Sequence, residues 1–170
     1  MFQINDTVMY GHSGVCRIVD IRRENFSGKD VLYYVLKPVG NEASTIYCPV
    51  DSDKIHIRRL LSIEEIHALV RALPESGIDW IDNDQQRREQ YTQILRDGDC
   101  LQLMRLIRTL FLHRQQLLKA GRKFHQADEK LLKEAEKVLH GEFAHVLQIA
   151  PEEVAAFIMG ELGAEERTAE

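Results

Sequence analysis

The only tryptophan of the chain, Trp80, stands in the stretch GIDWIDNDQQRREQY, with Asp79, Asp82, Asn83 and Asp84 around it and the pair Arg87 and Arg88 downstream. An aromatic ring at a polar turn beside arginines can stack on, or wedge against, a nucleic-acid base while the cations neutralise phosphates. The same ring can fold back as an apolar lid over neighbouring helices. Spacing alone does not choose between the two.

Other chemistry has less to stand on. The histidines are His12, His56, His67, His113, His125, His140 and His145, and none belongs to an HExxH pattern. His140 and His145 lie five apart, which turns them onto different helix faces rather than towards one metal. There is no GxSxG, no GxxxxGK[ST], no GxGxxG after a strand, and no carboxylate pair in an apolar setting, so neither an enzyme, a metal site nor a cofactor is expected. Cys16, Cys48 and Cys100 are isolated, without a CxxC spacing, and read as free buried thiols.

The charge is unevenly spread. The net charge is -5, yet between Arg87 and Lys123 nine basic residues face three acidic ones, a local balance of +6. The final residues, GAEERTAE, are acidic. Association with polyanions follows the local field rather than the sum, so a basic middle section points towards nucleic acid. A solvated helix face is the competing reading of the same residues.

The elements that must position these groups fall into two sets. From Phe2 to about Ile57, DTVMY, GVCRIVDIRR, VLYYVLKPV and STIYCPV read as short antiparallel strands, with turns at Gly11 to Gly14, around Gly28 and around Gly40. Four or five such strands suggest a small bent barrel, and Pro49 makes STIYCPV an edge able to accept a partner's strand. After it the spacing is helical. Ser62 with Glu65 forms a capping box opening a helix that Pro74 stops; a second runs from about Asp84 to Arg96 and ends at Gly98; Asp99 caps a long apolar third; Gly121 breaks the chain before a fourth; and Pro151 opens a short fifth. The predicted architecture is α+β: a bent barrel over 1–60, a helical bundle over 61–162, and a frayed acidic tail over 163–170. No apolar run reaches a membrane span and no signal sequence leads the chain, so a cytoplasmic protein is expected.

The order of INDTVMYGHSGVCRIVDI, LYYVLKPV, STIYCPVD, a tryptophan followed by basic residues and a tyrosine, GD before a long apolar helix, and DEKLLKEAEKVLHGEFA resembles the CarD/CdnL family of bacterial transcription regulators, over residues 2 to about 160. The first of these stretches alone also looks like the polymerase-interacting module of the transcription-repair coupling factor. The resemblance implies a Tudor-like first domain that docks on the β subunit of RNA polymerase and a helical second domain on promoter DNA. It implies that Trp80 wedges into the minor groove at the upstream fork of the bubble and impedes its collapse. Arg87 and Arg88 correspond to basic residues flanking the wedge and Lys130 to one on the fourth helix, with Arg122 and Lys123 joining them as DNA-contact candidates. The polymerase contact falls on Thr45, Ile46, Tyr47 and Cys48.

Two features set this chain apart from the relatives. Six residues, IDNDQQ, separate Trp80 from Arg87, where the family pattern places Arg-Arg-Tyr almost at once after the tryptophan. Glu24 and Tyr47 stand where relatives carry polymerase-contacting arginines. The alternative to a DNA-directed regulator is an interaction adapter, whose barrel binds another protein and whose Trp80 is structural.

Overall fold

The computed structural model describes residues 1–54, 57–73 and 77–168, with side chains as far as Gly163. Strands β1 (Thr7–Tyr10), β2 (Gly14–Glu24), β3 (Val31–Pro38), β4 (Ile46–Pro49) and β5 (Ile57–Arg59) form one antiparallel sheet in the order β4-β3-β2-β1-β5. Among the described residues β4 pairs with β3 alone and is an edge, the place to which Pro49 confines it. The β2 register against β3 shifts between Ile18 and Asp20. Such a bulge bends and further twists the strand that carries it.

Alternation along the strands gives the sheet two buried faces. Val8, Cys16, Ile18, Tyr34, Leu36 and Cys48 form the inner core, and Ile46 of β4 packs there together with Ile57 of β5. Both edge strands thus contribute to one cluster, so the sheet curves round it. Met9 and Val15 point the other way and are buried among Tyr91, Leu95, Leu103 and Leu106 of the helices. Strand and helix regions therefore share a core.

The helices are α1 (Ile63–Ala72), α2 (Asp84–Asp97), α3 (Cys100–Lys119), α4 (Gln126–Leu147) and α5 (Val154–Thr168). Their starts follow the capping residues of the sequence. Ser62 Oγ accepts from the Glu65 N–H at 3.1 Å while the Ser62 N–H donates to the Glu65 carboxylate at 2.8 Å. Asn83 and Asp99 accept from the N–H groups of Gln86 and Gln102, each at 2.9 Å. Pro74, expected to stop α1, lies outside the described residues. α5 follows a single turn of 3-10 helix, Pro151–Glu153, and continues to Thr168, where fraying is predicted after Gly163. Ala164, Glu165 and Glu166 are strong helix formers that give the chain no reason to stop there.

Between α2 and α3 the chain reverses within Asp97, Gly98 and Asp99. Gly98 has φ +67°, and a Cβ there would meet the Gly11 carbonyl oxygen at 3.2 Å and the Gly11 Cα at 3.3 Å. A side chain would be strained by the left-handed backbone and crowded by a backbone that cannot rotate away. Gly98→Ala is expected to cost at least the roughly 1–2 kcal/mol of a left-handed non-glycine residue, measured as a lowered midpoint in urea unfolding.

Candidate nucleic-acid interface

Trp80 is placed by α3 before it is placed by its own segment. The Ile78 N–H donates to Thr109 Oγ1 at 3.1 Å and the Thr109 hydroxyl donates to the Ile78 carbonyl at 3.2 Å, tying the extended stretch before Trp80 to the helix. Two residues on, the half-buried indole packs against the main helical core. It stacks on His113 of α3 with ring centroids 3.5 Å apart and planes 14° apart, and meets Tyr91 of α2 edge-on at 6.2 Å. The Tyr91 hydroxyl donates to the Asp79 carbonyl at 3.0 Å, closing the turn from below.

Arg87 completes this arrangement from inside. Its guanidinium carbon lies 4.5 Å from the Trp80 ring centroid. Nε and Nη2 donate to the two carboxylate oxygens of Asp128, each at 3.0 Å; Nη2 also donates to Asp84 at 2.7 Å, and Nη1 to the carbonyls of Ile81 and Asp82 at 2.9 and 3.3 Å. These contacts occupy all five N–H donors of the group. With Arg87 and Asp128 each only 4% exposed, Arg87 has nothing left to offer a phosphate. The expectation that it flanks the wedge as a DNA contact is therefore corrected: it lies beside Trp80, but as the internal tie between α2, α4 and the 81–82 backbone. The six-residue spacing has the same explanation. Ile81 packs on the core, Asn83 caps α2, and one helical turn later Arg87 is carried back to the ring.

The remaining basic candidates lie on the surface. Arg88, Arg122, Lys123 and Lys130 are exposed, Lys130 with only a loose contact of 3.9 Å to Glu134. His125 approaches Asp84 at 3.9 Å, and Arg114 reaches Glu129 at 3.3 Å, so the start of α2, the last turns of α3 and the start of α4 meet at one end of the bundle. A cleft of about 230 Å³ lies between the segment that carries Trp80 and α3, lined by Ile78, Trp80, Arg108, Leu112, His113 and Gln116. Of the nine basic residues between Arg87 and Lys123, the exposed ones are Arg88, Arg96, Lys119, Arg122 and Lys123.

The four residues singled out for polymerase, Thr45 just before β4 and Ile46, Tyr47 and Cys48 on it, divide by face. Cys48 is fully buried in the inner core and Ile46 packs there with it. Their side chains face away from any partner, leaving the backbone edge and the side chains of Thr45 and Tyr47 on the outside. Thr45 Oγ1 accepts from Lys37 Nζ at 2.8 Å. Tyr47 meets Phe26 at 5.0 Å and Tyr33 at 6.2 Å, all edge-on, and accepts from Arg22 Nη2 at 3.1 Å. Phe26 is 60% exposed and was not evident from the sequence, where it reads as a hairpin residue. Strand alternation would have placed Tyr33 and Tyr47 outward only once their register was known.

Asp128, His113 and Phe26 share that property: each acts through a contact distant in sequence, with no local signal. Among the described residues, no group of three or more His, Cys, Asp or Glu side chains could hold a metal, and no helix is long and apolar enough to cross a membrane. The three cysteines are free and buried, and burial pushes the Cys16 and Cys48 thiols up to about 11.

Removing Arg87 leaves the Asp128 carboxylate buried without its cation, a change that costs about 3–5 kcal/mol when a buried pair is broken. Arg87→Met is expected to fall in that range in chemical denaturation, and the double variant Arg87→Met, Asp128→Leu to recover much of it. His113 supplies a second handle. Burial, and then the neighbouring Arg87 and Arg122, lower its pKa below the ordinary 6.5 despite the opposing pull of Asp128 and Asp82. Because the folded state favours the neutral ring, the stability this contributes is complete above pH 6.5 and declines as the pH falls from there through the lowered folded value. The fluorescence of the sole tryptophan should change over that acid limb, and His113→Gln should flatten the change.

Residues 2–61 match the family model of the CarD-like/TRCF RID domain, and residues 62–159 match that of the CarD C-terminal domain. No curated protein matches the chain. The two matches meet where the chain passes from β5 to α1, and CarD-family domains interact with RNA polymerase and control transcription without catalysing a reaction. A curved antiparallel sheet followed by a helical bundle, with both domain models matched in sequence order across nearly its whole length, makes this chain a member of the CarD family of RNA polymerase-interacting transcription regulators.

Proposed function

We propose that the chain docks on the β subunit of bacterial RNA polymerase through the free edge of β4 and steadies the melted promoter by setting Trp80 against the upstream fork of the bubble. The observation that carries this reading is the state of Trp80: half-buried and held by His113, Tyr91 and Arg87, yet lining an open cleft between its own segment and α3. Unstacking a base step costs on the order of a few kcal/mol. A ring that meets DNA already opened by polymerase avoids most of that cost and binds the open state in preference, which shifts the population towards it. The contact needs neither metal nor cofactor, and it operates in the cytoplasm, where polymerase works.

The docking half is supported by the unpaired side of β4 and by Phe26, Tyr33 and Tyr47 beside it. A strand added to β4 would find backbone partners along the edge and an aromatic surface for its outward side chains. The phosphate half is carried by Arg88, Arg122, Lys123 and Lys130, with Arg87 as scaffold.

The packing of Trp80 on the helical core also favours a second reading, the adapter in which the ring is purely structural. Trp80→Ala separates the two. On the proposed function the variant stays folded, loses less than the roughly 3–5 kcal/mol of a fully buried aromatic, binds polymerase normally and shortens the half-life of the open complex several-fold. A full core-sized loss of stability, with the half-life unchanged at saturating folded protein, would assign Trp80 to the adapter.

Tyr47→Asp is expected to abolish co-purification with polymerase while leaving the fold intact, because it sets an uncompensated charge against an apolar partner surface. Normal co-purification of that folded variant would remove β4 as the docking edge. If Arg88, Arg122, Lys123 and Lys130 all meet phosphates, DNA affinity should fall with a log–log salt slope of about -3.6. A flat salt dependence would reduce them to a solvated face.

A further inference from the structure

Residues 60–62 are the covalent link between β5 and α1, and a single buried carboxylate grips both β5 and the link itself. Glu142 of α4 is 1% exposed. Its two oxygens accept from Nη1 and Nη2 of Arg58, in β5, each at 2.8 Å, and Oε1 also accepts from the Leu61 N–H at 3.0 Å. The same guanidinium donates to the Gly98 carbonyl at 3.1 Å, in the joint between α2 and α3. Arg58 stands opposite Met9 in the sheet, so it leaves on the face that Met9 and Val15 bury against the helices. The close approach of Gly98 to Gly11 lies in the same joint.

Apolar packing tolerates sliding, whereas a buried, bidentate, charge-assisted contact is satisfied in one orientation and costly in others. We propose that the Arg58–Glu142 clamp is a positioning device: it fixes the offset between the β4 edge and Trp80 so that one molecule makes both contacts at once. This rests on the function proposed above and concerns how the two contacts combine. Two weak contacts on one rigid body behave as a bivalent ligand, the second forming at a high effective concentration that a loosened joint would lower. In this scheme Arg58 and Glu142 act only through the geometry they hold.

The test uses the full chain, spin-labelled at Asn41 in the β3–β4 connection and at Lys137 on α4, both exposed, as the parent protein and as Arg58→Met and Glu142→Gln. Distance distributions are recorded together with affinity for polymerase alone and for the polymerase–promoter open complex. The expected result is one narrow distance in the parent and a broadened one in both variants. Affinity for polymerase alone should be unchanged, and the gain in affinity on going to the open complex should be reduced at least tenfold. Variants that keep the narrow distance, or broaden it and keep the full gain, would overturn the inference. Should Arg58→Met fail to fold, Glu142→Gln, which retains an amide acceptor for Arg58, carries the test. A parent that shows no gain on the open complex would sink the proposed function itself, while the distance measurement would still judge the clamp.

Discussion

The candidate interface depends on a single buried ion pair, Arg87 with Asp128. Two opposite charges withdrawn from water attract strongly but lose their hydration, and the balance is favourable only when every remaining donor and acceptor is satisfied. Here it is: the guanidinium spends its other donors on Asp84 and on the carbonyls of Ile81 and Asp82. One residue thereby fixes the start of α2 to the start of α4 and holds the turn that carries Trp80. The cation also lies over the indole, so the ion pair that organises the turn contributes a cation–π contact to the ring it positions.

This arrangement accounts for a large hydrophobe in so polar a stretch. The polar residues around Trp80 are exposed to solvent yet committed at the groups that face inward: the Asp79 carbonyl receives Tyr91, the Asp82 carbonyl and the Asp84 carboxylate receive Arg87, and Asn83 caps α2. The lid and wedge readings of the sequence also cease to be exclusive in geometry. Trp80 packs on the core through one part of its surface and reaches a cleft with another.

What could be read from the sequence was what neighbours decide. Ser62 with Glu65, Gly98 and Asp99 set helix ends through contacts within one turn, and Pro49 confined β4 to an edge through its missing donor. Counting charges could not tell Arg87 from Arg88, because adjacent helical positions project about 100° apart and only the tertiary structure decides which one is internal. The local balance of +6 accordingly overstated the cations available to a polyanion. On β4 the sequence marked the strand, but Ile46 and Cys48 turned inward and the aromatic neighbour of Tyr47 came from Phe26 in a hairpin. His113 and Asp128 carried no signal at all, since each matters only through a partner more than thirty positions away in the chain.

A ring held in this way has a consequence for binding. Immobilising a rotamer-rich side chain in an interface costs roughly 0.5–1.5 kcal/mol, and Trp80 is already ordered by His113, Tyr91 and Arg87 before any partner arrives. The same holds on a larger scale for the joint at Glu142, where strand and helix regions are oriented by Arg58 and by the shared core around Met9 and Val15. Each ordering cost met during folding is one that association does not have to meet. On the proposed function, a small, weakly cationic surface on an acidic chain would hold a transient nucleic-acid structure through preorganisation rather than through charge or contact area. That route suits the proposed partner, an opened promoter, which exists only while polymerase keeps it open.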